Sequence, residues 1–216
     1  LFQGDPEVVR ITLLSLKVSG VATLISILIG LPLGTFLALV KFRSRQFWIS
    51  LINTGMALPP VVVGLVVSIF LWRSGPLGAL KLIYTPAAIV IAQVLISFPL
   101  AAGLTISSLQ QLDPRLRVQL LGLGASKFQM ILSLWKEARL ALVAALIAAF
   151  GSVISEVGAS MMVGGNLKGS TRVLTTAIVL ETSRGEFASA IALSIILLVL
   201  AFLVNFALTT LQQRRK

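Results

Sequence analysis

Glu156 stands alone as an acid inside an apolar run of this 216-residue sequence, in the stretch AAFGSVISEVGASMMVGG. An ionisable side chain in such a setting is costly and is a functional candidate by default. Two roles are open to it. Its carboxylate can accept hydrogen bonds from nearby backbone N–H groups, or pair with a cation such as Arg172, and so hold a gate in shape. Alternatively, its charge itself can act at a gate. Catalysis is not expected. The sequence has no His and no Cys, and its seven carboxylates are scattered. The commonest general base, the thiolate metal ligand and the disulfide are therefore absent. The chain is expected to bind no metal and no cofactor.

A second stretch, GGNLKGSTR at 164–172, has the glycines of a phosphate loop but the wrong order. Lys168 precedes Gly169 and Ser170, no strand leads into it, and nucleotide binding is rejected. Ser170 or Thr171 can instead cap a helix over 172–181. That helix is too short to span a bilayer, so it should lie at the outer surface or dip in. Ser160, Asn166, Ser170, Thr171, Thr175 and Thr176, with Lys168 and Arg172, supply donors and positive charge in this region. Such a set suits an anion in kind, as does a helix N-terminus.

The elements that position these residues are membrane spans. The chain is 57% hydrophobic with a mean hydropathy of +1.01. Several uncharged runs exceed the ~18–20 residues that cross a bilayer. The expected spans are 18–40, 47–72, 86–110, a run starting near 138, and 187–211. Gly30, Pro32 and Gly34 read as a packing kink in the first. Pro59 and Pro60 must break the second, either as a tolerated kink or at a pathway. Pro99 kinks the third. The fourth, read as one continuous helix, places Glu156 ~26 Å beyond Arg139.

The net charge of +11 does not indicate nucleic acid, because the basic residues cluster at span ends. Eleven of the eighteen fall at 41–45, 115–139 and 214–216. Membrane orientation follows such clusters, so these segments are expected to be cytoplasmic, with the amino end outside and the carboxyl end inside. Leu1-Phe2-Gln3-Gly4 resembles the remnant of an engineered protease site, and one domain over 5–216 is expected after it.

The most charged interruption is DPRLRVQLLGLGASKFQMILSLWKEAR at 113–139. Pro114 can open a short helix, and Gly122 and Gly124 can turn the chain or admit a close backbone. By itself this is a basic cytoplasmic loop with a glycine turn, or a docking knob. Leu123-Gly124-Ala125-Ser126 resembles the core of the EAA loop of ABC importer permeases. In that family the loop forms a coupling helix seated in the ATP-binding subunit. The match is partial: Val118, Gln119 and Leu120 stand where Glu-Ala-Ala would fall, and Lys136-Glu137 where Leu-Pro would. The resemblance implies docking through Arg117, Leu120, Leu121, Gly122, Leu123, Gly124, Ala125 and Ser126.

The stretch 155–180 resembles molybdate, sulfate and tungstate permeases, on Glu156, Gly158, Ala159, Met162, Val163, Gly165, Asn166, Gly169, Thr171 and Leu174. Leu58-Pro59-Pro60 and Ser97-Phe98-Pro99-Leu100 fit the same family. Ser155, Val157 and 172–178 are most similar to the tungstate (Tup-type) variant. The resemblance implies an all-α integral membrane protein of about five transmembrane helices with a cytoplasmic coupling helix. It further implies a homodimer in the cell's inner membrane, two cytoplasmic ATP-binding subunits that use the ATP, and an external oxyanion-binding protein. Pathway or gate residues would be Pro59, Pro60, Pro99, Glu156, Ser160, Gly165, Asn166, Thr171 and Arg172. The alternatives are a molybdate or sulfate permease, a stand-alone ion-coupled transporter or channel, and a membrane scaffold.

Overall fold

A computed structural model describes residues 6–213. The expected tag remnant and the basic tail at 214–216 lie outside the described residues. Among these there are ten α-helices and a single 3-10 turn, Gly78–Leu80. Three helices are long and apolar enough to cross a membrane: α1 (Pro6–Leu39), α4 (Pro86–Gln110) and α10 (Phe187–Gln213). Two bent pairs complete up to five spans. α2 (Arg45–Met56) and α3 (Pro60–Leu71) meet at 102°, and α6 (Lys127–Glu137) and α7 (Arg139–Ile154) at 73°. The short helices are α5 (Pro114–Gly122), α8 (Gly158–Gly164) and α9 (Leu174–Ser183).

α1 and α4 form the spine. Gly30 and Gly34 face α4 so closely that a Cβ on Gly34 would stand 2.7 Å from the Ala102 carbonyl oxygen. Small residues four apart allow this approach in a membrane, where apolar lipid offers no hydrophobic drive for association. Pro32 stays within an unbroken α1. Ser26 and Ser97 share a buried Oγ–Oγ hydrogen bond of 2.6 Å across the same seam.

The first span continues upstream without a break: α1 runs for 34 residues, ~51 Å at 1.5 Å per residue. Two expectations need correction. The fourth span is not one helix to Gly165. α7 stops at Ile154, and residues 155–157 break the chain before α8. Glu156 therefore sits in a break and not ~26 Å along a helix. Finally, α9 is not capped by Ser170 or Thr171. It starts at Leu174, where Thr176 Oγ1 accepts from Val173 N and Ser15 Oγ of α1 accepts from Leu174 N. α9 dips in, burying Leu174 and Ala177 against Ile11, Phe150 and Leu193.

Candidate functional site

The helices that restart after the two breaks, α3 and α8, pack against each other. Pro59 and Pro60 cannot donate, so α2 ends at Met56 and α3 restarts with Pro60 at a first-turn position. The other break is set by Glu156. Its Oε1 accepts from Ala159 N at 2.6 Å, and its Oε2 accepts from Ser160 N at 2.9 Å and Ser160 Oγ at 2.8 Å. A carboxylate on the first N–H groups of α8 satisfies donors that a new helix leaves open. Glu156 is 6% exposed, and its backbone carbonyl accepts from Thr175 Oγ1. α3 and α8 then cross with almost no side chain between them: a Cβ on Gly64 would stand 2.5 Å from Ala159 Cα. Gly158 lies against Val61 just after the proline break.

The loop after α8 is tied down internally. Gly165, at φ 66°, turns the chain out of α8, and Asn166 follows at φ 50°. Asn166 Nδ2 donates to Thr176 O, while Thr171 Oγ1 donates to Gly164 O and accepts from Leu167 N. Ser160, Thr171, Thr175 and Thr176 are buried: Ser160 Oγ donates to the Glu156 carboxylate, and the three threonine hydroxyls donate to the backbone carbonyls of Gly164, Glu156 and Val173. They do not form an open anion cage in this conformation. Arg172 does not pair with Glu156. Its Nη1 lies 3.1 Å from Glu7 Oε1, and Lys168 Nζ lies 2.8 Å from Glu7 Oε2. Pro99 is separate from this cluster, buried in α4 where Gly55 of α2 packs on its ring.

At the other end, α5 and α6 build a rigid corner. Asp113 Oδ1 accepts from Arg115 N, and Pro114 opens α5. Ser126 Oγ accepts from Gln129 N while Gln129 Oε1 accepts from Ser126 N, a reciprocal cap on α6. Between them Gly124 has φ 83°. No atom lies within 4 Å of where a Cβ would sit on Gly122 or Gly124. Gly124 is therefore required by backbone conformation, and no close backbone within this chain demands it. Leu120 packs inward near Met130 and Leu134. Leu121 is exposed, and Leu123 is 86% exposed at the tip. Arg117 Nη1 donates to Leu39 O, at the end of α1. That bond fixes the corner to the carboxyl end of α1, a function spacing alone did not indicate.

Two further residues escaped the sequence reading. Glu7 ties the amino-terminal turn of α1 to the loop after α8; its position in a helix's first turn was the available signal. Gln93, buried in α4, donates to Val153 O just before the Glu156 break. A lone amide in the run IVIAQVLISF could have marked it.

The family described as "Binding-protein-dependent transport system inner membrane component" matches residues 30–216. The chain is 42% identical to the tungstate uptake system permease protein TupB of Peptoclostridium acidaminophilum, over 99% of this chain and 93% of that protein. It is 33% identical to TupB of Campylobacter jejuni, over 95% and 86%. Its fold is similar to a chain of the MetNI methionine ABC transporter in an inward-facing conformation, with a TM-score of 0.78 at 17% identity, covering 98% of this chain and 99% of that one.

Proposed function

Because this chain belongs to the binding-protein-dependent transport system inner membrane component family, we propose that it is the permease subunit of an ATP-driven tungstate importer. The observation that carries the pathway is the exposed break at 56–60, in the middle of a bent span. Met56, Ala57, Leu58, Pro59 and Pro60 are all exposed. Lipid cannot satisfy backbone groups freed at such a break, so it must face another protein surface or a water-filled cavity. A second copy of the chain supplies both: two breaks facing each other across a dimer axis enclose a route between the copies.

The remaining parts follow from the corner and the loop. The exposed tip around Leu123 docks a cytoplasmic ATP-binding subunit, one for each copy, and these subunits hydrolyse the ATP. Their closure pushes the α5–α6 corner. Arg117 passes the push to the end of α1, and the bend at Ala138 passes it to α7. The outer face, with Lys168, receives an oxyanion from an external binding protein. Tungstate rests on the relatives named for its uptake and on the variant at 155–178. Leu58→Cys, in a chain with no native cysteine, tests the shared pathway. A short bifunctional maleimide should join two copies through it; monomer alone after treatment of the assembled complex counts against the dimer pathway.

A further inference from the structure

A cavity of about 720 Å³ lies between the inner end of α1 and the α5–α6 corner. That volume falls within the ~300–1,000 Å³ of small-molecule sites. Its walls are apolar, including Pro32, Phe36, Ile131 and Trp135, and three cations line it: Lys41, Arg117 and Lys127. Among the described residues no carboxylate lines it. Leading into it is an exposed apolar stripe, Ile29, Pro32 and Phe36 on α1 and Val40 just past its end, closed by Lys41. Eleven helical residues make this track ~16 Å long. Trp135, whose Nε1 donates to Thr35 Oγ1, stands beside the cations. Trp prefers the level where acyl chains meet headgroups.

We propose that this cavity is a binding site for an anionic phospholipid. One acyl chain lies along the Ile29–Val40 stripe, and the phosphate meets Lys41, Arg117 and Lys127. The charge pattern selects the occupant: an apolar groove closed by cations alone matches an acyl chain with an anionic head, as in basic pockets between spans on the cytoplasmic side. A bound lipid would brace the corner against α1, through which the ATPase must act. This goes beyond the permease reading and rests on it only for the cytoplasmic side.

The test uses the complete transporter with Trp48→Phe and Trp72→Phe, which leaves Trp135 as the one tryptophan of this chain. Residual emission from the partner subunits is subtracted using a matched Trp135→Phe sample. Phosphatidylglycerol or phosphatidylcholine with brominated acyl chains serves as the quencher. Phosphatidylglycerol should quench Trp135 preferentially. Lys41→Gln and Lys127→Gln should each lower that preference about fivefold. Raising the salt should lower it in the unsubstituted protein as well, a readout that needs no variant. Equal quenching by the two lipids, or a preference unchanged in the double lysine variant, overturns the proposal. Absence of quenching by either lipid also overturns it and points to a protein partner in the cavity. ATP-driven uptake in the same vesicles separates this outcome from failure of the permease reading: quenching selectivity without uptake keeps the lipid site and rejects the function.

Discussion

Glu156 holds Ser160 by two bonds, accepting from its backbone N at 2.9 Å and from its Oγ at 2.8 Å, and thereby starts α8 where α7 has just ended. The acid is the cap of a broken helix. Replacement by Ala strands the N–H groups of Ala159 and Ser160, each costing about 1–3 kcal/mol when buried. Replacement by Gln keeps one acceptor oxygen and turns an NH2 toward one of those donors. Melting temperatures of the purified protein should therefore fall in the order Glu156, Gln, Ala. Equal melting of all three would remove the capping role. Normal melting with equal loss of transport in both variants would assign the charge itself.

The α3–α8 crossing predicts opposite outcomes for two glycines. Gly64→Ala drives a methyl into the Ala159 backbone and should cost about 1–3 kcal/mol. Gly20→Ala on α1 meets no atom within 4 Å and should be neutral or gain up to ~1 kcal/mol from helix propensity. Thermal unfolding of both variants checks the contrast, and similar shifts would disprove the crossing.

How far the sequence disclosed this site differs from element to element. Pro86 and Pro114 opened their helices as expected, because proline fixes φ and needs no donor partner in a first turn. The proline pair broke the second span for the same reason. The break at 155–157 was hidden, because no proline marks it and apolar residues run through it. There the carboxylate takes over the N–H groups of the next turn, a competition that hydropathy does not register. Arg172 and Glu7, 165 residues apart, could not be paired from spacing. Ser160, Thr171 and Thr176 looked like open donors because composition does not reveal that the Glu156 carboxylate and the carbonyls of Gly164 and Val173 already take their protons.

Gly124 separates conformation from contact at the corner. Gly124→Ala must hold a left-handed residue and should cost about 1–2 kcal/mol, whereas Gly124→Asn should be milder. Leu123→Asp leaves the backbone alone and should keep the fold while the ATPase no longer co-purifies. Full ATPase retention in Leu123→Asp would move the docking surface elsewhere.

Orientation can be read from two exposed positions. Ser126 is unsuitable because it caps α6, so Gln119→Cys on α5 is preferable to Ser126→Cys. Gln119→Cys should react with an impermeant maleimide only from the cytoplasmic side, and Ser170→Cys only from outside. Labelling of both from one side would reject the five-span arrangement.

This chain moves an oxyanion only as part of an ATP-driven complex. The most direct test is tungsten counted inside proteoliposomes that hold the chain, its ATP-binding subunit and its external binding protein. Tungstate should accumulate when all three and ATP are present, in preference to molybdate and sulfate, and omission of any one should abolish uptake. A preference for molybdate would change the cargo alone. Uptake by this chain without ATP or either partner would contradict the account.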